Sequence, residues 1–412
     1  MSLKKILALL ALGVSGGSIY IIPYIKYVFY DQQIQAMGIT NTQSGMLVSV
    51  YAIVAILLLL PGGVFADRFS AKKLISFSLL GTTILNVIYA FTLNYYVALA
   101  IWVGFGVTCA FVFWPALIKA IGALGKPEEQ GRMYGVYYAI NGIAAAVINV
   151  AALYVCSTFG DGADGFFWAV MLVAGGTFLA FILMTFFFSD DNLEIKSTAP
   201  EERFKFSDLG KVVKMPDTWL LAFGIFVSYS IYSSNTYFNP FLIDVVGVTP
   251  TDSGAFTILR TYVFMLLAPL GGFLCDRVFR STGKWYAISF GLMALMLAGA
   301  MLLPPTINPT LAGIYTLLPA AVTMAQYGVA WSIQRELNIP VAVMGTAIGI
   351  SSFINWSPDM FMHTMFGYWL DSYGNDGYTY IFSYLIALAL LGMVLGIVIC
   401  KRARKRAAVA NT

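Results

Sequence analysis

Four ionisable side chains lie inside long apolar runs of this sequence, and these residues are the best suited to chemistry. They are Arg260, Lys26, Asp359 and His363. An ionisable group in an apolar medium is costly, so it is a functional candidate by default. Arginine and lysine can bind an anion, whereas aspartate and histidine can accept and release a proton. The residue types therefore indicate anion binding, proton transfer or both.

Each of these residues also has a structural interpretation. The planar fork of Arg260 suits a carboxylate, phosphate, sulfonate or nitrate group. Asp359 could instead supply its counter-charge in an ion pair between two helices. Lys26 could extend to the outer surface. His363 could relay protons or serve as a structural partner of Asp359. Lys119 lies near the end of its run, where surface anchoring is the simpler role.

The composition identifies the medium as a lipid bilayer. Hydrophobic residues make up 59% of the 412 positions and charged residues 11%, against about 25% charge in soluble domains. A membrane helix needs about 20 apolar residues. We therefore predict an all-α membrane protein whose transmembrane helices 1 to 12 lie at approximately 5–30, 43–66, 73–93, 95–120, 131–157, 165–188, 217–242, 252–275, 284–304, 310–333, 341–370 and 377–400.

One polar stretch, Ser189 to Pro216, divides the predicted helices into two groups of six. It is either a plain tether or a short amphipathic surface helix around Leu209, Val212 and Val213. The predicted domains are an N-terminal six-helix bundle, a linker, a C-terminal six-helix bundle and a basic tail, at 1–188, 189–216, 217–400 and 401–412.

The loop charges predict the orientation in the membrane. Lys and Arg mark cytoplasmic loops because they resist translocation. They occupy the predicted inner loops and the tail, and the predicted outer loops hold no Lys or Arg. Both termini are therefore expected in the cytoplasm. The outer loops hold Asp31, Asp161, Asp164, Asp244, Asp252, Asp371 and Asp376.

A seven-residue segment occurs twice, as Gly62–Arg68 and as Gly271–Arg277, 209 residues apart. This distance is about half of the chain, which indicates an internal duplication of the kind found in transporters. The same shift pairs Lys26 with Asn235. It also pairs Arg260 with Tyr51, so the charge of Arg260 has no counterpart in the first half.

The segment Ser228–Tyr237 of helix 7 is too polar to face lipid, so this helix is expected to line a wet cavity. The helix 1 tyrosines are expected to line the same cavity, although tyrosines also form interfacial belts. The predicted substrate-binding residues are Arg260, Lys26, Asn235, Tyr232, Tyr237, Tyr24, Tyr51, Trp114, Tyr327 and Trp356. Asp359 and His363 are predicted to tune Arg260 or to carry a proton.

The sequence resembles the major facilitator superfamily in two respects. It has twelve predicted helices in two groups of six, and it has a G-x-x-x-D-R motif between helices 2 and 3. The motif comprises Gly63, Asp67, Arg68, Lys72 and Lys73, although Phe69-Ser70-Ala71 is one residue longer than the usual spacer and lacks its glycine. The resemblance implies a cytoplasmic latch, with a close helix approach at Gly63 and with Asp67 pairing to an arginine or a helix N-terminus. Ordinary interfacial charges are the alternative. The weaker second copy comprises Gly272, Asp276 and Arg277.

Within that superfamily the pattern is similar to the anion carriers. Organophosphate antiporters place basic residues on helices 1 and 7, oxalate-type carriers on helices 8 and 11, and nitrate carriers on helices 2 and 8. Lys26 and Arg260 match two of these positions in kind. Glu129-Gln130-Gly131-Arg132 also resembles sugar-phosphate and nitrate permeases. At the other basic positions of these carriers, this chain has Asn235 on helix 7, Tyr51 on helix 2, and Asp359 and His363 on helix 11.

The resemblance implies a bacterial inner-membrane secondary transporter that moves a small organic or sugar-derived anion by alternating access. The expected partners are the substrate, the bilayer and either protons or a counter-anion, with a monomeric protein, no cofactor, no metal and no nucleic acid. Two alternatives remain open, a proton-coupled carrier of a neutral solute and a multidrug exporter. No nucleophile or phosphate-binding motif in the sequence suggests an enzyme.

Overall fold

The computed structural model describes residues 3–124, 130–160, 162–189, 209–304 and 306–410, and all regular structure in these ranges is helical. This confirms the all-α prediction. Helices α1 to α12 follow the predicted helices in order. Six of them run without interruption: α2 Asn41–Arg68, α3 Ala71–Thr92, α5 Gln130–Phe159, α6 Ala163–Phe187, α9 Thr282–Met301 and α12 Gly377–Ala410.

Helices α1 and α7 are broken, and the breaks correspond under the 209-residue shift. Helix α1 spans Leu3–Ile19 and is followed by a 3-10 turn at Ile25–Tyr27. The expectation of a continuous helix over 5–30 is therefore wrong, because Pro23 has no N–H to donate and restricts the residue before it. Helix α7 comprises Pro216–Ser234, a 3-10 turn at Asn235–Tyr237 and Phe238–Asp244.

The four remaining helices also contain irregular turns. In α4, π-helical Gly106–Phe113 separates Tyr95–Phe105 from Trp114–Ala123. Helix α10 comprises Pro309–Tyr327, Ala330–Ser332 and Ile333–Glu336, and α11 comprises Val341–Trp356, a 3-10 turn at Ser357–Met360 and Met362–Tyr373. Helix α8 comprises Pro250–Ile258, π-helical Leu259–Val263, 3-10 Phe264–Leu267, Ala268–Phe273 and π-helical Leu274–Phe279. Short helices outside α1 to α12 lie at Tyr30–Met37, Leu209–Val213 and Gly374–Asp376.

Within the described residues, eight helical stretches are long and apolar enough to cross a membrane by length and composition. The break after Ile19 explains why α1 is not one of them, because its continuous part has 17 residues. The eight stretches are Asn41–Leu59, Ala71–Thr92, Tyr95–Ala123, Arg132–Phe159, Ala163–Phe187, Pro250–Phe279, Thr282–Met301 and Val343–Lys405, the last of which contains parts of both α11 and α12.

The chain forms two compact units. Unit 1 comprises Met1–Thr198 together with Val248–Val263 and Met362–Tyr368. Unit 2 comprises Ala199–Gly247, Phe264–Phe361 and Trp369–Thr412. Helix α8 therefore changes unit after its π-helical turn, and α11 changes unit after its 3-10 turn and again after Tyr368. The expected linker at 189–216 lies largely outside the described residues.

In unit 1, the first half of α8 packs closely on other helices. A Cβ at Gly254 would lie 3.0 Å from the Leu153 side chain and 3.3 Å from the Val28 carbonyl oxygen. Unit 1 also joins α2 to the second half of α11, where the hydroxyl oxygens of Ser49 and Thr364 lie 2.8 Å apart. Each contact involves a small residue, namely Gly254, Ser49 or Thr364, and small residues let membrane helices approach closely.

Side chains satisfy the backbone where α1 and α4 depart from α-helical geometry. Trp102 Nε1 donates to the Pro23 carbonyl at 3.0 Å, and Tyr20 Oη donates to the Cys109 carbonyl at 3.2 Å. A carbonyl in the hydrocarbon region needs such a partner because no bulk water reaches it. The irregular turns of these two helices therefore support each other.

Lysine side chains cap two helix ends in unit 1. Lys119 Nζ donates to the carbonyls of Ala66 at 2.7 Å and Phe69 at 3.3 Å, at the end of α2. Lys72 Nζ donates to the Thr185 carbonyl at 2.7 Å, at the end of α6. Cations are stabilising at helix C-termini, where unpaired carbonyls collect. Lys119 therefore binds the carbonyls at the end of α2, and its anchoring at the membrane surface stays a prediction.

The close helix approach in the repeated motif occurs one residue earlier than predicted. A Cβ at Gly62 would lie 2.7 Å from the Phe111 carbonyl oxygen, whereas a Cβ at Gly63 would meet no described atom within 4 Å. The packing role predicted for Gly63 is therefore wrong in this structure. The second copy repeats the pattern, because Gly271 abuts the Ala325 carbonyl and a Cβ at Gly272 would likewise meet nothing described.

Candidate functional site

The irregular turns of unit 1 hold both predicted intramembrane cations. Lys26 lies in the 3-10 turn Ile25–Tyr27 and Arg260 in the π-helical turn Leu259–Val263. Each side chain is only 1% exposed. Single π-helical turns occur frequently at functional sites, because they change the direction of a side chain without ending the helix.

The two cations have different surroundings. Arg260 Nη2 donates to Thr257 Oγ1 at 2.6 Å, one helical turn earlier, and its π-helical turn packs against α5. Lys26 Nζ lies 4.9 Å from the centre of the Tyr30 ring, which is a cation–π distance. Thr257 and Tyr30 therefore fix the two charged groups within the same unit.

Unit 1 contains an aromatic cluster that includes Tyr24 and Tyr27, two residues close to Lys26 in the sequence. The Tyr24 and Tyr51 rings meet edge to face at 5.4 Å, and Tyr24 also contacts Tyr27 at 5.1 Å. Tyr27 in turn lies 5.9 Å from the ring of His363, which is 1% exposed. The structure therefore brings together the predicted residues Tyr24 and Tyr51, and His363 joins their cluster through Tyr27.

In unit 2, Asp359 lies in the 3-10 turn Ser357–Met360 and is 2% exposed. Its carboxylate accepts hydrogen bonds from Tyr229 Oη at 2.6 Å and from Ser233 Oγ at 2.7 Å. Sequence reasoning did not single out these two partners. Their spacing of four residues, which places them on one helix face, was the available signal.

A second aromatic cluster lies beside this carboxylate in unit 2. The rings of Tyr232 and Tyr327 stack at 4.8 Å with an interplanar angle of 12°. Tyr327 also lies 5.9 Å from Tyr229, which binds Asp359. The nearby 3-10 turn of α7 holds Asn235 and Tyr237, both buried.

The remaining predicted residues are distributed over several helices. Trp114 is half-buried, packs against the apolar core of unit 1 and begins the last segment of α4. Trp356 is half-buried and ends the first segment of α11. The motif residues Arg68, Lys73, Asp276 and Arg277 are exposed. The Asp67 side chain and Glu129 lie outside the described residues.

The described residues contain no group of His, Cys, Asp or Glu that could hold a metal ion. Among the described residues, the buried Lys, Arg, His and Asp side chains are two cations and a histidine in unit 1 and two carboxylates in unit 2. Asp217 is the second of these carboxylates, and it pairs with Arg402 near the start of α7.

Residues 6–357 match the family model of the Major Facilitator Superfamily. The chain belongs to this superfamily. It is 30% identical to the inner membrane protein YihN of Escherichia coli K12 over 98% of both chains. It is also 25% identical to the probable sulfoacetate transporter SauU of Cupriavidus necator, over 87% of this chain and 85% of the relative.

A solved structure shares the fold. The inward-facing, occupied form of a bacterial homologue of the human lysosomal transporter Spinster superposes with a TM-score of 0.77, over 98% of both chains at 15% identity. The superfamily match and this likeness confirm the predicted family and fold class. Both are those of transporters, which act on small molecules in a lipid bilayer.

Proposed function

We propose that this protein is a secondary transporter of a small organic anion, with Arg260 binding the anionic group. The observation that carries the proposal is the charge buried in unit 1. Its described buried residues include the cations Lys26 and Arg260 and no carboxylate. Buried charges are costly and are kept where they bind something.

The chemistry of Arg260 supports a planar or tetrahedral oxyanion. A guanidinium can donate two parallel hydrogen bonds to a carboxylate, phosphate or sulfonate. The hydrogen bond from Nη2 to Thr257 holds the group in position. Lys26 adds a second positive charge in the same unit. The similarity to a probable sulfoacetate transporter supports a substrate with a sulfonate or carboxylate group.

The other predicted residues are proposed to contact the neutral part of the substrate through hydroxyl, amide and aromatic groups. Ring stacking and hydroxyl hydrogen bonds suit an organic or sugar-derived body. We further propose that the protein is a monomer in a bacterial inner membrane, with cytoplasmic termini and the two predicted six-helix domains. These contact residues are Asn235, Tyr232, Tyr237, Tyr24, Tyr51, Trp114, Tyr327 and Trp356.

The test is uptake of radiolabelled sulfoacetate by purified protein in liposomes. Arg260→Ala should reduce the initial rate at least about tenfold, because a charge-assisted bidentate contact is lost. Arg260→Lys should retain only part of the rate, since an ammonium keeps the charge and loses the fork. Lys214→Ala, which removes an exposed cation, is the matched control and should transport normally.

A thermal-shift screen extends the test to other substrates, because a ligand stabilises the fold that it binds. The panel comprises sulfoacetate, a hexose phosphate, oxalate, nitrate and neutral glucose. Stabilisation by one or more anions that disappears in Arg260→Ala supports the proposal. Stabilisation by glucose alone, or anion responses that are equal in wild type and Arg260→Ala, contradicts it.

The second candidate function is proton-coupled transport of a neutral solute. The arrangement around Asp359 favours it, because a buried carboxylate with two hydroxyl partners is a candidate proton carrier. A pH jump without substrate should then cause proton uptake by the detergent-solubilised protein, and Asp359→Asn should abolish that uptake. Tyr229→Phe keeps the carboxylate and serves as the control. Equal proton uptake in wild type and Asp359→Asn would reject this candidate.

A further inference from the structure

A cavity lies in unit 2, at the end of α8 that carries the second copy of the repeated motif. It is open at the surface and has a volume of about 750 Å³, within the range of roughly 300–1,000 Å³ typical of ligand pockets. The ends of α8, α9, α10 and α12 form its walls. Its charged lining residues are Asp276, Arg280, Lys284, Arg335, Glu336 and Arg404.

The lining carries an excess of positive charge. Four cations and two carboxylates leave a formal net charge of +2. Within the described part of the chain, no ion pair engages the cations Arg280, Lys284, Arg335 or Arg404, and all four are exposed. Their charges are therefore available to an anion from outside.

Within the described residues, Glu336 forms no ion pair with these cations, and both of its oxygens accept hydrogen bonds from the start of α9. Oε1 accepts from Ser281 Oγ at 2.6 Å and Oε2 accepts from the Gly283 backbone N–H at 2.9 Å. Glu336 therefore caps the start of α9, where a negative charge is favourable. Its role is fixed by the fold and leaves the cationic groups for a ligand.

Backbone strain occurs at the same place. Arg280 has a φ of 52°, in the left-handed region that residues with a Cβ avoid unless the surroundings require it. The chain turns there from the last π-helical turn of α8 towards α9. A left-handed residue is common where a helix ends, and here it places Arg280 at the end of α8, beside the cavity.

Apolar side chains flank the cavity residues of α8. Phe273 is 56% exposed and Val278 is 54% exposed, and they lie on either side of the lining residues Cys275 and Asp276 in sequence. In a membrane such side chains face acyl chains. A ligand with an anionic head and an apolar tail fits this combination better than a free anion does.

We propose that this cavity binds the phosphate of an acidic phospholipid headgroup. Basic pockets between transmembrane helices on the cytoplasmic side are suited to such headgroups, and the positive loops predict that side for this end of the chain. The phosphate is held by Lys284, Arg335 and Arg404, and Arg280 is the fourth cation of the lining. This site is independent of Arg260, so its failure and the failure of the anion transport proposal are separable.

The experiment measures the thermal midpoint of the full-length protein in detergent during titration with phosphatidylglycerol. Lys284→Gln, Arg335→Gln and Arg404→Gln are combined in one triple variant. Three lost cations should weaken the apparent lipid affinity by at least about tenfold. The control variant combines Lys401→Gln and Lys405→Gln, two exposed cations of α12 that do not line the cavity. It should respond as the wild type does.

Three arms identify the source of the phosphate. Phosphatidylglycerol should raise the midpoint, whereas phosphatidylcholine and inorganic phosphate at equal concentration should have a smaller effect. An equal response to phosphatidylcholine, or an unchanged response of the triple variant, overturns the proposal. A full response to inorganic phosphate alone overturns the lipid assignment. If the triple variant fails to fold, the same titration is made with Arg404→Gln alone, which changes an exposed position near the chain end. Its response to phosphatidylglycerol should be weaker than that of the wild type.

Discussion

At the scale of single residues, burial in this protein affects titratable groups beyond the membrane core. Asp244 ends the last segment of α7 and belongs to unit 2. Tyr378 Oη donates to its carboxylate, and Asn375 Nδ2 donates to its backbone carbonyl at 3.1 Å. Burial raises the pKa of Asp244 and outweighs the hydrogen bond from Tyr378, which lowers this pKa. The charged form of this carboxyl is therefore less favourable in the folded protein than in the unfolded chain.

This raised pKa predicts the sign of a pH effect on stability. A carboxyl whose folded pKa exceeds its unfolded value contributes its stabilisation below the unfolded pKa, and the contribution is lost as pH rises through the folded pKa. Asp244→Asn, which stays neutral and can still accept from Tyr378, should therefore gain stability relative to wild type as pH rises from about 4 to about 7. Thermal midpoints of both proteins across this range provide the measurement. A constant difference between them would contradict the prediction.

At the scale of helices, close packing in each repeat depends on one glycine of a Gly-Gly pair. Gly62 in α2 abuts the π-helical segment of α4, and Gly271 in α8 abuts α10. Gly63 and Gly272 would accept a methyl group without meeting any described atom. Because adjacent helical residues point in different directions, only one residue of each pair can face a given neighbour.

This difference predicts opposite effects for adjacent substitutions. Gly62→Ala should lower the free energy of unfolding by about 1–3 kcal/mol, because the new Cβ would lie 2.7 Å from the Phe111 carbonyl oxygen. Gly63→Ala should be neutral or stabilise by up to about 1 kcal/mol, because alanine favours the helix. Gly271→Ala and Gly272→Ala should repeat this contrast. Thermal midpoints in detergent measure it, and equal effects within a pair would exclude the packing explanation.

At the scale of the whole molecule, the duplication is preserved in some features of the backbone and lost at the ionisable residues. The breaks of α1 and α7 correspond, as do the close contacts at Gly62 and Gly271. Helix α11 is broken at Asp359, however, whereas its counterpart α5 is continuous. Helix α8 likewise has a π-helical turn at Arg260, whereas α2 has none. The charged residues have therefore diverged on a repeated scaffold.

The sequence by itself determined the helical membrane fold, the duplication and the candidate charges. These properties follow from composition and spacing. In lipid, the backbone N–H and C=O groups of a long apolar run can all form hydrogen bonds only in a helix or a closed barrel. The prediction that Arg260 and Asp359 lie inside the protein needed no more than their positions in such runs. Their burial in the structure agrees with it.

Only the tertiary structure decided where helices break and which groups meet. The hydroxyl groups of Tyr229 and Ser233 donate to Asp359, which lies 130 and 126 residues later in the sequence. Lys119 donates to carbonyls at the end of α2 that lie 53 and 50 residues earlier. Such partners depend on which helices become neighbours. The register of the Gly-Gly pairs depends on how each helix is rotated. Apolar periodicity does not fix that rotation, because helices in lipid have apolar residues on every face.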